Sequence, residues 1–494
     1  MSHRYDLVVL GGGIVGIWTA RQAAARGARV ALVEIGPSSL GDEAAPKPAL
    51  RFSRRENLGA TRARHHVLTG NSPYWGGGLC RNDCETLREM FSLESCAVAT
   101  ARLARHYDGI ERTLGITPSL PSAQPQPLLE ELTLSEIAVL PGKRRGLWSG
   151  FAEQVRRGRS AVTCLVASTI SEVASDPLGQ VNSVTVELSS GKVARLQAPL
   201  FALAMGVVDS NLFALRNLGG ILSEEAKRYV GTRLHDHWSV PLARMRWKNG
   251  TPLSQLFPPK FYRGGIVGRR SCDSVGFFHF TANLDELPPY DRVKKFLSVR
   301  QKGETFGRQV RAALGTVGRP LLMARAGVHY LLERELYIPD GCEITLTFDF
   351  QSYASALNRI AIEGDEAVLD WDIRPQDIDA FGRTVSARRD SLCRALSSHG
   401  LEVEWLAGDG GSGASAEYLG KAAIDAFHLG GGLQVCGAAN DGVVDSRFVV
   451  RGTTNLHVLG TANFRRPGLA NPVLTLLAQS QQFVFEHFDQ GAVQ

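Results

Sequence analysis

"YDLVVLGGGIVGIWTARQAAARGARVALVEIG", residues 5–36, decides the fold. Leu7 to Leu10 make an unbroken apolar run, the pattern of a parallel strand buried on both faces. Glycines follow at 11, 13 and 16, then an alanine-rich helical stretch closes at Gly27. A second apolar run, Val30 to Val33, ends in Glu34. Gly11 permits a tight turn, Gly13 lets backbone approach a pyrophosphate, and Gly16 lets the helix pack closely on the strand. The helix opening at Ile14 and Val15 offers amide donors and a partial positive charge to phosphate. Glu34 stands where a carboxylate accepts hydrogen bonds from ribose hydroxyls, and an acid there argues against a 2′-phosphate. Strand, glycines, helix, strand and terminal acid in this order predict a dinucleotide-binding unit.

Which dinucleotide it binds depends on the residues after Gly36. A nicotinamide dehydrogenase continues in regular βαβ units. Here the chain leaves that rhythm at once, passing through residues 37–59 into "TGNSPYWGGGL" (69–79). Residues 162–206 read as successive strands punctuated by Gly179 and Gly191. A Rossmann unit interrupted by a β-meander suits FAD better than NAD.

The chain of 494 residues is too long for one small core, so two domains are expected. With 44% hydrophobic and 21% charged residues, it has the composition of an ordinary soluble protein. Its net charge of +6 is scattered in short pairs such as Arg54-Arg55 and Arg388-Arg389. Without a basic stripe, a nucleic-acid partner is not expected. The longest apolar stretch, "APLFALAMGVV" (198–208), is about half the length of a membrane span. The opening residues lack a secretory pattern, and a cytoplasmic protein is expected. Eight cysteines in so long a chain form no disulfide framework. Cys80 and Cys84 in "CRNDC" lack a second ligand pair and read as reduced thiols. His235 and His237 in "LHDHW" also lack metal partners and read as a polar loop at a domain boundary, so no metal is expected.

Near the other end, "FHLGGGLQV" (427–435) sets His428 before a glycine run. A neutral imidazole can take the proton of an alcohol, and Gly430 to Gly432 would let substrate and flavin come close. Taken alone, the same histidine reads as one that only bonds a loop carbonyl. In "ANPVLTLLAQSQQFVFEHF" (470–488), Asn471 suits an N-cap and Pro472 the first helical position. The helix predicted to run towards His487 would bury Leu474, Leu477, Phe483 and Val484, and aim its positive end at the flavin edge where reduction builds charge. Whether Asn471 does more than cap that helix stays open. His457 reads as structural, His65-His66 as neighbours of the flavin segment, and Trp371 and Asp372 as packing or substrate contact.

Several blocks, in order, resemble the glucose–methanol–choline (GMC) family of FAD-dependent oxidoreductases. They are "TGNSPYWGGGL", "HYDGIERTLGI" (106–116), "VGTRLHDHWS" (230–239), "LNRIAI…VLDWDI" (357–373) and "FHLGGGLQVCGAANDGVVDSRFVVRGTTNLHVLGTANFRRPGLANPVLTLLAQS" (427–480). The last is most similar to the pyranose-oxidase branch and its sugar- and glycoside-oxidising relatives. The resemblance implies an α/β fold in which a Rossmann-type FAD domain joins a substrate domain built on an antiparallel sheet covered by helices. It puts the FAD domain in pieces at 1–80, 155–230 and 425–494. A helical or irregular insertion near flavin and substrate takes 81–154, and the substrate domain 231–424. It also implies FAD pyrophosphate at Gly11 to Gly16 and adenosine ribose at Glu34, with Ile170 and Ala204 near the adenine. Gly70, Asn71, Ser72, Tyr74 and Trp75 would run along the isoalloxazine, with Gly460 and Thr461 near the ribityl chain. Asn471 and Pro472 would reach the flavin edge, and His428 and Asn471 would form the catalytic pair. Where pyranose oxidases carry a flavin-linking histidine this chain has Tyr74, so dissociable FAD is expected. The implied activity is oxidation of an alcohol of a sugar, glycoside, aminosugar or cyclitol, with O₂ or another acceptor reoxidising the flavin. A nicotinamide-linked dehydrogenase and a non-catalytic flavin-binding protein are the alternatives.

Overall fold

The computed structural model describes residues 2–36, 49–116, 128–140, 148–158, 160–247, 260–262, 265–282, 324–325, 328–329, 331–332, 337–338, 342–408, 412–469 and 471–489. Two large sheets organise them. In the first, strands Thr163–Ser175, Val30–Glu34, Leu7–Leu10, Leu200–Leu203 and Leu456–Val458 lie side by side and parallel. Every residue of Leu7–Leu10 and Val30–Glu34 is buried, which is why both read as continuous apolar runs. The long strand Thr163–Ser175 outruns this layer. Its far half pairs antiparallel with Val181–Leu188, which pairs with Val193–Gln197, giving the meander expected between Gly179 and Gly191. Helices Ile14–Ala24 and Val473–Phe488 pack against each other, and both carry mostly buried residues.

The second sheet is antiparallel and has nine strands. Its path runs Leu401–Trp405, His237–Trp247, Glu343–Gln351, Gly276–Ala282, Gly265–Cys272, Thr133–Val139, Gly78–Leu79. Segment 81–154 therefore supplies a sheet strand as well as the helices Cys84–Phe91, Cys96–Arg102 and Tyr107–Thr113. In "EITLTFDFQ" (343–351), alternation sends Ile344, Leu346, Phe348 and Phe350 one way and Thr345, Thr347, Asp349 and Gln351 the other. The apolar side meets helix Pro375–Ser398, where Phe350 packs against Phe381. Strands Arg359–Glu363 and Glu366–Asp370 form a hairpin, but outside this sheet, to which their resemblance to a substrate-domain strand pair would assign them. Glu366–Asp370 pairs instead with Leu50–Phe52 in a separate three-stranded sheet. "GDGGSGAS" (408–415), which reads as a mobile loop, lies partly outside the described residues, and Ser412 already opens helix Ser412–Ala422.

Two short pairings position the site. Strand Thr232–His235 pairs with Gly430–Gly432, and His237–Trp247 pairs with Ile424–Asp425. Residues 426–429 are thereby pinned across 232–238, almost two hundred positions away in sequence.

Candidate active site

A cavity of about 670 Å³ reaches from the glycine turn after Leu10 to His428, at the carboxyl ends of the parallel strands. Its size lies within the roughly 300–1,000 Å³ of small-molecule sites, and its place matches the crevice used by ligands of open α/β sheets. Gly11, Gly13, Ile14 and Val15 line one end. Gly11 has φ +109°, and a Cβ there would lie 2.4 Å from the Ala204 carbonyl oxygen. A Cβ on Gly13 would meet nothing within 4 Å, so the open side of the turn faces the cavity. No side chain caps helix Ile14–Ala24, which leaves its first amides for an anion. Gly16 is not in the wall. Its missing Cβ would sit 1.9 Å from the Gly11 carbonyl oxygen, so it serves helix packing.

Glu34 lines the same end, buried, and its Oε2 accepts the Gly12 N–H at 2.7 Å. Burial pushes its carboxyl up to about 7, against the pull of the Gly12 and Gly36 amides. A carboxylate with so little water needs partners, and ribose hydroxyls are of that kind. Nearby, Arg64 pairs with Asp209, and His66 Nε2 lies 3.0 Å from Asp209 Oδ2. Burial opposes ionisation of Asp209, but Arg64 and His66 outweigh it and hold the carboxyl at about 2. These three residues, all in the wall, carry no sequence signal that marks them as cofactor contacts. Ile170 and Ala204 line the cavity as well.

Gly70, Asn71, Tyr74 and Trp75 also line the cavity, joined by Gly460, Thr461 and Pro472. Gly70 has φ +53°, and its Cβ position lies 3.0 Å from the Gly13 Cα, so this segment rests on the glycine turn. Ser72 is excluded: it is buried with its hydroxyl unpartnered, outside the wall. Tyr74 is 57% exposed and stacks on His65 with ring centroids 4.0 Å apart. The glycine turn, uncapped helix, buried acid and open middle together fit FAD.

At the far end the histidines form a chain. His428 Nε2 lies 3.2 Å from Asn471 Nδ2, and His428 Nδ1 lies 3.1 Å from His237 Nδ1. His237 Nε2 lies 2.7 Å from the Gly468 carbonyl oxygen. A carbonyl only accepts, so His237 carries its proton on Nε2 and its Nδ1 is bare. His428 must then donate from Nδ1, which leaves the Nε2 lone pair facing the Asn471 amide and the cavity. Burial, with His237 second, lowers the His428 pKa to about 3, so the ring is neutral across ordinary pH. Asp236 fixes both backbones, its Oδ1 accepting the amides of His237 at 2.7 Å and His428 at 2.9 Å. Burial, then the nearby Asp425, pushes the Asp236 carboxyl well up. Asp236, His237 and His428 are grouped closely enough for a metal, yet the facing imidazole nitrogens already serve each other.

Two expectations change here, for the His235–His237 loop and for the glycine run, and two open readings close, for Asn471 and Trp371. His235 and His237 are no loop: they end one strand and begin the next, fully buried, and His237 is the partner of His428. Asn471 does not cap helix Val473–Phe488; Pro472 takes the cap position, and the carboxamide is turned to His428. Gly430 to Gly432 do not face the cavity. Their missing Cβ atoms would strike the His235 ring, the Arg233 carbonyl and the Asn211 amide, so these glycines let the Thr232–His235 strand approach. Trp371 stacks on Trp238, fully buried, and is packing. His457 is structural, as expected, its ring packed on Phe483 and His487. Two more wall residues, Arg270 and Asp349, belong to no sequence motif, although the alternation of "ITLTFDFQ" already sets Asp349 on the face away from the core.

Family models and solved structures show what the chain is similar to. Residues 6–115 match the FAD dependent oxidoreductase family model, and residues 358–480 the GMC oxidoreductase model. No curated protein matches by sequence. Among solved structures, pyridoxine 4-oxidase from Mesorbium loti is similar at 15% identity and TM-score 0.58, over 97% of this chain and 98% of that one. A formate oxidase is similar at 14% identity and TM-score 0.56, over 99% of both chains. A formate oxidase variant from Aspergillus oryzae RIB40, studied for FAD modification, has 14% identity and TM-score 0.55, over 99% of both. At such identities the likeness is one of fold. Among the described residues no helix is long and apolar enough to cross a membrane. The chain is an FAD oxidoreductase enzyme, its residues 6–115 matching the FAD dependent oxidoreductases and its residues 358–480 the GMC oxidoreductases.

Proposed function

We propose that the enzyme oxidises a secondary or primary alcohol of a sugar, glycoside, aminosugar or cyclitol to the carbonyl, with His428 as base. One observation carries this reading: a neutral imidazole in the wall of the cavity that begins at the dinucleotide turn, its bare Nε2 accepting only the Asn471 carboxamide N–H at 3.2 Å, which an arriving hydroxyl can displace. Bound FAD supplies the hydride acceptor. The hydroxyl proton passes to His428 Nε2, and the resulting imidazolium keeps its Nδ1–H on His237 Nδ1. Asn471 orients the alcohol beside that nitrogen; its Oδ1 is buried with no partner among the described residues, ready to accept a hydrogen bond. Gly11 to Val15 would hold the pyrophosphate, Glu34 the ribose, and Gly70, Asn71, Tyr74 and Trp75 with Gly460 and Thr461 the flavin. The uncapped helix at Val473 turns its positive end to the cavity, where it favours developing negative charge. The polyol preference is supported by the likeness of residues 427–480 to the sugar-oxidising branch, and a pathway enzyme in the cytoplasm is the setting we favour. Pyridoxine 4-oxidase, a fold relative, makes a hydroxymethyl pyridine the first non-sugar alcohol to try.

The test is anaerobic mixing of the flavin-loaded enzyme with sugars, cyclitols, glycosides and pyridoxine. His428→Ala should keep its flavin and reduce it about 10²–10⁴-fold more slowly. Unimpaired bleaching removes His428 as base. Tyr74 offers no imidazole to the flavin, so acid precipitation should leave the yellow colour in the supernatant. A yellow pellet would contradict this and turn attention to His65, which also lines the cavity.

A further inference from the structure

Beyond His428, one face of the antiparallel sheet presents buried polar atoms that have no hydrogen-bond partner among the described residues. Arg270 stands on Gly265–Cys272, Phe277 and His279 on Gly276–Ala282, and Asp349 on Glu343–Gln351. Cys272 lies opposite Phe277, and Phe277 opposite Asp349. Counting by twos brings all four side chains out on one face. The Arg270 guanidinium lies over the Phe277 ring, 4.1 Å from its centroid, while its buried Nη1 has no hydrogen-bond partner among the described residues. Asp349 Oδ2 lies 3.2 Å from His279 Nε2, and its buried Oδ1 is likewise unpartnered. Both Arg270 and Asp349 line the cavity.

Two unpaired buried groups, one donor and one acceptor, are costly unless something arrives to satisfy them. Burial opposes ionisation of Asp349, but His279 and Ser239 outweigh it, with Arg270 adding to the effect, and its carboxyl is held at about 2. The pair therefore meets its ligand as a fixed cation and a fixed anion. We propose that Arg270 and Asp349 clamp the hydroxyl groups next to the one being oxidised, selecting a neutral substrate with adjacent hydroxyls. Asp349 Oδ1 accepts one O–H, and Arg270 Nη1 donates to a hydroxyl oxygen. An anionic substrate gains from Arg270 but is repelled by Asp349, and a cationic one meets the reverse. A lone alcohol on an apolar body satisfies neither. Sites built to bond a hydroxyl discriminate strongly against analogues that lack it.

This proposal rests on the alcohol-oxidase reading above, and the experiment separates the two. Methyl β-glucopyranoside, myo-inositol, glucuronate and benzyl alcohol are titrated into the oxidised holoenzyme by calorimetry, then followed by anaerobic flavin reduction. The neutral polyols should bind best. Arg270→Met and Asp349→Asn should each raise the Kd and KM of the best polyol at least about tenfold, with a smaller change in kcat. The ratio of its kcat/KM to that of benzyl alcohol should fall accordingly. If Arg270→Met loses its flavin, Arg270→Lys, which keeps the stem and charge without the planar fork, should show the same rise. An unchanged ratio overturns the clamp, as does failure of any polyol to bind the wild type. Glucuronate binding best, and more tightly still in Asp349→Asn, overturns it in favour of an anion site. His428→Ala should lose flavin reduction while its remaining polyol binding still falls on adding Arg270→Met or Asp349→Asn. Reduction that survives there sinks the catalytic reading, whereas polyol affinity that survives in both clamp variants sinks the clamp alone.

Discussion

His237 Nε2 stands 2.7 Å from the Gly468 carbonyl oxygen, a separation that only an N–H can occupy without repulsion. The tautomer of His428 is set by that single contact through two imidazoles. This is why His237 matters although it takes no proton from substrate: replacing it leaves His428 Nδ1–H without its acceptor and frees the ring to adopt the other tautomer. We expect His237→Phe to slow flavin reduction about 10- to 100-fold with little change in flavin content, since orienting partners of a catalytic histidine act through its tautomer. The pH profile reports on the same chain. With the His428 pKa lowered to about 3, the base is not lost as pH falls through the usual histidine range. Flavin reduction at pH 5.5 should stay within about twofold of its rate at pH 7.5, measured with excess FAD. An ordinary histidine near pKa 6.5 would cost about tenfold over that interval. A tenfold acid loss that disappears in His428→Ala would contradict the assignment.

At the scale of elements, the glycine turn divides its labour. Gly16 and Gly13 look alike in the sequence motif, yet one faces protein and the other open space. Gly16→Ala would drive a methyl into the Gly11 carbonyl and should destabilise the chain by about 1–3 kcal/mol or more, seen as a lowered Tm with or without FAD. Gly13→Ala has room, and its φ of −79° suits alanine, so the apo-protein should unfold within about 0.5 kcal/mol of wild type. Its methyl would project where the pyrophosphate is expected, and FAD affinity should fall at least about tenfold. Equal FAD affinity in Gly13→Ala, or an unaffected Tm in Gly16→Ala, would overturn this division. The glycine triplet after His428 teaches a related lesson. Its glycines do permit a close approach, but what approaches is the Thr232–His235 strand.

Across the whole molecule, the features legible in the sequence are local. Leu7 to Glu34 is one contiguous strand, turn, helix and strand, and every part speaks through its own residues. The meander that turns at Gly179 and Gly191 is local in the same sense. The meeting of His428 with Asn471 is legible through motif resemblance, not through spacing, because the two come together only through tertiary folding. Illegible features depend on register between distant strands. Nothing near Leu50–Phe52 announces that it pairs with Glu366–Asp370, and nothing near Arg270 announces Asp349 across an intervening strand. His237 looks partnerless in the sequence for this reason: its partners, His428 and Gly468, lie 191 and 231 residues away. The arrangement these long pairings build, a neutral base with its lone pair toward the flavin cavity, can be observed without turnover. A ¹⁵N spectrum of histidine-labelled holoenzyme at pH 6, with His428 assigned by substitution, should show its Nδ1 protonated and its Nε2 bare. A signal from Nε2–H or from a doubly protonated ring would contradict the account.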